Sequence, residues 1–158
     1  MTPSPSLSAS RPDLSVGTAL PELAVPVTAT LVVAGAIATR DFQTVHHDRD
    51  AATAGGVPDI FMNILTTNAL VNRYVCAWAG LSGRVTRIDI RLGAPCFPGD
   101  VLVFSGEVTD CSGDRVRLAV AGRHGRGAHV TGAVELVFSD GEPRTGEPRV
   151  REQGEERS

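Results

Sequence analysis

The sequence predicts one α+β domain in which an antiparallel sheet wraps a single long helix. Three observations carry this. Residues 63–79 place Ile64, Leu65, Ala69, Val71, Tyr74, Val75, Trp78 and Ala79 around most of a helix circumference, as in a helix buried on more than one side. After Gly80 the apolar period changes from helical to alternating. Every later connection is hairpin-sized, which gives a meander that can curl only around the helix before it.

The elements follow in order. Residues 25–29 form a short extended piece after Pro21 and Pro26. Thr30 is placed to cap a helix through 31–39, although Leu31-Val32-Val33 also suits a strand. Asp48 caps a short helix over 49–54, which Gly55-Gly56 stops. The long helix begins at Asn63 and ends at Gly80. Ile88, Ile90 and Leu92 share one side of the first strand of the meander. Pro98-Gly99-Asp100 turns the chain into a strand over 101–109, and residues 111–114 turn it again. Val116, Leu118 and Val120 alternate along the next strand, residues 124–127 form a turn, and 130–138 is the last strand. His124 and His129, flanking that Gly-rich turn, are expected to face solvent.

Composition limits the function. The 158 residues suit one domain, with 42% hydrophobic and 21% charged. Net charge is -3, and the 15 Lys+Arg residues are scattered. No basic stripe marks a nucleic-acid surface. Cys76, Cys96 and Cys111 are odd in number and widely spaced, which fits a reducing cytoplasm better than a disulfide framework. No run of 18 apolar residues could cross a membrane, and the Ser/Pro-rich start carries no secretory signal. Residues 1–17 and 140–158 are expected to be disordered, the latter carrying Gly-Glu-Pro-Arg twice, with the domain between at 18–139.

The chemistry concentrates in residues 41–48. Asp41 and His46 put a carboxylate and an imidazole five residues apart at the mouth of a loop. Such a pair can hold one water and move its protons near neutral pH. Taken alone, an Asp after a helix and a His in a loop are more often turn residues. His46 and His47 are adjacent in an extended loop and point apart. No third ligand is spaced beside them, so no metal is expected there. Asn68 and Asn72 share one helix face and either line a pocket or bond to a strand. Tyr74 and Trp78, four apart, suit core or interface packing.

These residues resemble a known family. Asp41-Phe42-Gln43-Thr44-Val45-His46, with small Ala52 six residues on, is similar to the Asp-Phe-Asn-Pro-Ile-His motif of MaoC-like enoyl-CoA hydratases with a hotdog fold. Residues 91–100, ending Pro95-Cys96-Phe97-Pro98-Gly99-Asp100, resemble that family's Pro-Val-Phe-Pro-Gly-Asp strand end, and residues 16–21 its opening. Residues 38–43 with 46–50, 59–66 and 73–75 look like the small catalytic subunit of actinobacterial steroid side-chain hydratases. The chain departs from the general family in two places. Gln43-Thr44 replaces Asn-Pro, and Met62-Asn63-Ile64 replaces His-Gly-Met at the helix start.

The resemblance implies hydration of a trans-2-enoyl-CoA, reversible as a dehydration, with no metal or organic cofactor. Asp41 and His46 become the catalytic pair. The Asn63 backbone N–H takes the place of the family glycine's as donor to the thioester carbonyl. A steroid side-chain acyl group is the implied substrate. A second hotdog chain or a second copy is the implied partner, and no particular Arg is assigned to the CoA phosphates. Two other functions are open. A hotdog thioesterase often carries an acid on its central helix, and none occurs between Asp59 and Asp89 here. A silent subunit completing a partner's acyl-CoA tunnel has no need of both Asp41 and His46.

Overall fold

The computed structural model describes residues 12–139. The tail expected at 140–158 and residues 1–11 of the expected N-terminal segment lie outside them. Gly17, within that segment, donates its N–H to Val108 O at 2.8 Å.

The chain runs β1 (Ala19–Pro26), α1 (Ala29–Ala38), a 3-10 turn (Thr44–His46), α2 (Arg49–Ala54), α3 (Ile64–Ala79), β2 (Gly83–Leu92), β3 (Val101–Ser112), β4 (Arg115–His124) and β5 (Gly127–Phe138). The strands form one antiparallel five-stranded sheet in the order β1-β3-β4-β5-β2. With α3 on its inner face, this is a hotdog fold.

Local chemistry explains the boundaries. The α1 cap is Thr28, two residues before the expected Thr30, because its hydroxyl accepts from Leu31 N at 3.0 Å. The extended piece expected over 25–29 is instead a strand over Ala19–Pro26, because these residues pair with β3 from Ala19↔Glu107 to Pro26↔Val101. Local sequence alone carries no sign of that pairing. Asp48 caps α2 through Ala51 N. Asn63 caps α3 by accepting from Thr66 N at 2.9 Å, and Gly80 ends it at φ 64. The Pro98-Gly99-Asp100 turn is stapled to the chain before α1. Gly99 N donates to Val27 O and Val27 N to Asp100 O, each at 2.8 Å.

The core lies between α3 and the sheet. Leu70, Val71, Tyr74 and Val75 meet Leu102, Phe104, Leu118, Leu136 and Phe138. Tyr74 stacks on Phe104 with centroids 5.7 Å apart, and Trp78 meets Phe138 edge-on at 6.0 Å. One expectation changes here. Helix α3 is buried along one side only within this chain, and Ile64, Leu65, Ala69 and Cys76 are exposed on the other. The sheet covers one face of the helix, and no described element covers the second.

A second correction concerns the turn at 124–127. His124 and His129 are buried rather than solvent-facing, with His129 only 1% exposed. His124 follows the parity of Val116, Leu118 and Val120, all of which point inward. The β4–β5 ladder shifts register between Gly122 and Arg123, so His129 and Val130 are consecutive and both buried. No helix among the described residues is long and apolar enough to cross a membrane.

Candidate active site

Helix α1 ends in a left-handed residue that aims the next one. Thr39 closes the helix, Arg40 takes φ 57, and Asp41 N donates back to Ala36 O at 2.9 Å. This reversal places the Asp41 carboxylate over the start of α3. The 3-10 turn then brings His46 back beside it, and Phe61 fixes the ring. A carbonyl only accepts, so the 2.8 Å contact from His46 Nδ1 to Phe61 O puts the proton on Nδ1. In neutral His46 the bare nitrogen is therefore Nε2. It faces Asp41 Oδ2 at 3.5 Å. Phe61 also packs edge-on against the imidazole at 4.9 Å.

Two acceptors aimed at one place have a simple chemical meaning. A carboxylate oxygen and an imidazole lone pair cannot bond to each other without a shared proton. One water can donate a hydrogen to each. The side chain of His46 is 8% exposed and that of Asp41 21%, so the pair is sheltered but reachable.

Asn63 ties this pair to the helix. Its Nδ2 donates to Asp41 Oδ2 at 3.0 Å and to Thr39 Oγ1 at 2.9 Å, while its Oδ1 caps α3. The Asp41 carboxyl is held below its usual range, chiefly by the Asn63 amide. Desolvation opposes this, and the Gln43 N–H, together with His46 when it is protonated, adds to the lowering. Among the described residues, the Asn63, Ile64 and Leu65 backbone N–H groups meet no acceptor. They stand at the positive end of the α3 dipole. The structure thus brings Asp41, His46 and Asn63 together. Residues 41–46 carried a sequence signal for this. The Asn63 side-chain bridge to Asp41 did not, because it joins residues 22 apart.

The other candidates fall elsewhere. His47 is exposed and its ring contacts Phe42 O. Asn72 is exposed and accepts from Cys76 Sγ at 3.7 Å. Asn68 is half-buried with its Oδ1 unpartnered.

Comparison with known proteins agrees with this architecture. The MaoC like domain matches residues 15–126. Over 125 residues the chain is 50% identical to the 3-oxo-4,17-pregnadiene-20-carboxyl-CoA hydratase beta subunit of Mycobacterium tuberculosis, covering 79% of this chain and 97% of that one. A crystal structure of the ChsH1-ChsH2 complex from the same organism contains a chain that superposes with a TM-score of 0.77 at 50% identity, over 79% of this chain and 98% of that one. The R-hydratase PhaJ1 of Pseudomonas aeruginosa shares the fold, with a TM-score of 0.75 at 21% identity over 81% and 84% of the two chains. The family match and the half-identical relative together make this chain a member of the MaoC-like domain family.

Proposed function

We propose that this chain hydrates a trans-2-enoyl-CoA thioester, and that the acyl group is a shortened steroid side chain. The observation that carries the reading is the convergence of Asp41 Oδ2 and His46 Nε2, 3.5 Å apart, beside the start of α3. The 50% identity to a subunit named for a steroid-acyl hydratase supports the substrate class.

The water donates to Asp41 and His46. Its oxygen attacks C3 while the pair removes one of its protons. Electrons move through the double bond to the thioester, and C2 takes a proton from the same pair. Dehydration is the reverse path. Negative charge developing on the thioester oxygen meets the free N–H groups at Asn63 and Ile64 and the helix dipole. The Asn63 amide keeps Asp41 ionised for its part in this. Partnership with a second hotdog chain, which would complete the acyl tunnel, is supported by the relative's occurrence in a two-protein complex. A reducing cytoplasm suits the three free cysteines.

The test is hydration of steroid and straight-chain trans-2-enoyl-CoA substrates by the purified chain, with and without its co-purifying partner. Asp41→Asn and His46→Ala are each expected to lower kcat by about 10²–10⁴, the usual worth of acid–base groups. Full activity in either variant, or none in any wild-type combination, overturns the reading.

A further inference from the structure

Apart from Asp41 and His46, the described residues hold a second cluster of chemically active side chains. Cys96, His124 and His129 are all buried, and one ligand atom from each lies within 4.8 Å of the other two. We propose that these three side chains bind a divalent transition-metal ion of the zinc type, with the Asp100 carboxylate as the neighbouring oxygen donor. The ion would tie the loop before β3 to the β4–β5 hairpin.

The ligands come from separate parts of the chain. Cys96 lies in the β2–β3 connection, His124 ends β4, and His129 stands near the start of β5. The register shift in the β4–β5 ladder turns His129 inward and so brings it to His124, with ring centroids 6.1 Å apart. One sulfur, two imidazole nitrogens and a carboxylate form a donor set that suits Zn²⁺ or Co²⁺. With bonds of about 2.0–2.3 Å, a tetrahedral centre sets its ligand atoms about 3.5 Å apart, so the Cys96, His124 and His129 atoms each need to move inward by under about 1 Å.

The surroundings of His129 match those of a bound histidine. Its Nδ1 donates to Ala94 O at 2.9 Å, the outer-shell bond that orients metal-bound imidazoles. Nε2 is then the nitrogen with a free lone pair. Its present partner is Thr67 Oγ1 at 2.8 Å, and that hydroxyl has a second acceptor in Asn63 O at 3.1 Å. The Thr67 hydroxyl can turn to the carbonyl and leave Nε2 to the ion.

His124 has only long contacts. Arg126 N is 3.3 Å from its Nδ1, and Ala94 O is 3.5 Å from its Nε2. Asp100 Oδ2 lies 3.9 Å from Nδ1 and is held by Phe97 N at 2.8 Å and by the Arg126 guanidinium. On binding, the Cys96 thiol loses its proton to solvent and the sulfur becomes a thiolate ligand. No oxidation is involved.

The experiment uses the full chain carrying Cys76→Ser and Cys111→Ser, which leaves Cys96 as its single thiol. It is titrated with Co²⁺, and the Co²⁺ is then displaced with Zn²⁺. The expected result is one Co²⁺ per chain, a thiolate-to-cobalt charge-transfer band, and bleaching of that band by Zn²⁺. Cys96→Val should abolish the band. His124→Gln and His129→Gln should each weaken Zn²⁺ binding at least tenfold. Absence of the band in the single-thiol protein overturns the proposal, and that result needs no further variant to fold. A band that survives Cys96→Val, or Zn²⁺ affinity unchanged in both histidine variants, overturns it equally.

Discussion

Asn63 does two jobs with one side chain, and substitution can separate them. Its Oδ1 caps α3 and its Nδ2 holds Asp41. Asn63→Ser retains an oxygen that can cap, but it loses the amide that lowers the Asp41 pKa. The acid limb of the pH–kcat/KM profile should therefore move to higher pH, with the urea midpoint nearly unchanged. Asn63→Ala should move the same limb and also cost about 1 kcal/mol of stability, the usual price of a lost cap. An acid limb that stays in place in both variants would refute this role for the amide. His129 gives a second residue-level prediction. Burial lowers its pKa, and the Ala94 carbonyl only partly opposes that. The folded chain thus binds fewer protons than the unfolded one below an ordinary histidine pKa of 6.5. Stability is full above pH 6.5 and is lost as pH falls through the lower folded value. Urea midpoints taken from pH 8 to 5 in metal-free buffer should show this slope, and His129→Gln should flatten it. The inward parity of His124 was legible in its strand. That of His129 was not, since a bulge reverses the alternation and no local residue announces one.

The site depends on how two helices meet. A Cβ built on Gly35 of α1 would clash with Thr66 Oγ1 of α3, so the helices touch there through the absence of a side chain. The same two helices carry Asp41 past the end of one and Asn63 at the start of the other. Gly35→Ala should push them apart, costing about 1–3 kcal/mol as overpacking does. It should also lower kcat by loosening the Asp41–Asn63 bond, although residue 35 touches neither group. Unchanged thermal stability in this variant would show that α1 yields freely. Arg40 adds strain of another kind. Its φ of 57 costs an L-residue about 1–2 kcal/mol, so Arg40→Gly should be neutral or slightly stabilising by urea titration. In the sequence, α1 was ambiguous between helix and strand because Leu31-Val32-Val33 is apolar and two of its residues, Val32 and Val33, are β-branched. Its cap at Thr28 is local, three residues from the N–H it accepts, whereas the pairing of β1 with β3 is a tertiary fact. By contrast α2, α3 and the Pro98-Gly99-Asp100 turn were legible, since each carries its own cap or turn residues.

The sheet leaves two edges, β1 and β2, among the described residues. An unpaired edge ten residues long is rarely left open in a soluble protein. At its entry stands Leu81, fully exposed at 109%, and along one side of α3 lie the exposed Ile64, Leu65 and Ala69. These features explain why the long helix looked buried on more than one side. The apolar pattern in sequence records all the burial a chain undergoes, including burial that its own fold does not supply. The chain is therefore expected to sediment above its own 16.6 kDa, alone or with its co-purifying partner. Leu81→Asp tests the β2 edge. At a fully exposed position it should change the stability of the isolated chain by no more than about 0.5 kcal/mol. Covering a leucine in an interface contributes about 2 kcal/mol, which corresponds to roughly a thirtyfold change in dissociation constant. Sedimentation velocity across a concentration series separates the two effects. Weakened association with an unchanged urea midpoint places the β2 entry in the interface. Wild-type association in Leu81→Asp moves the interface elsewhere, and a wild-type chain that stays monomeric with every partner offered removes the interface altogether.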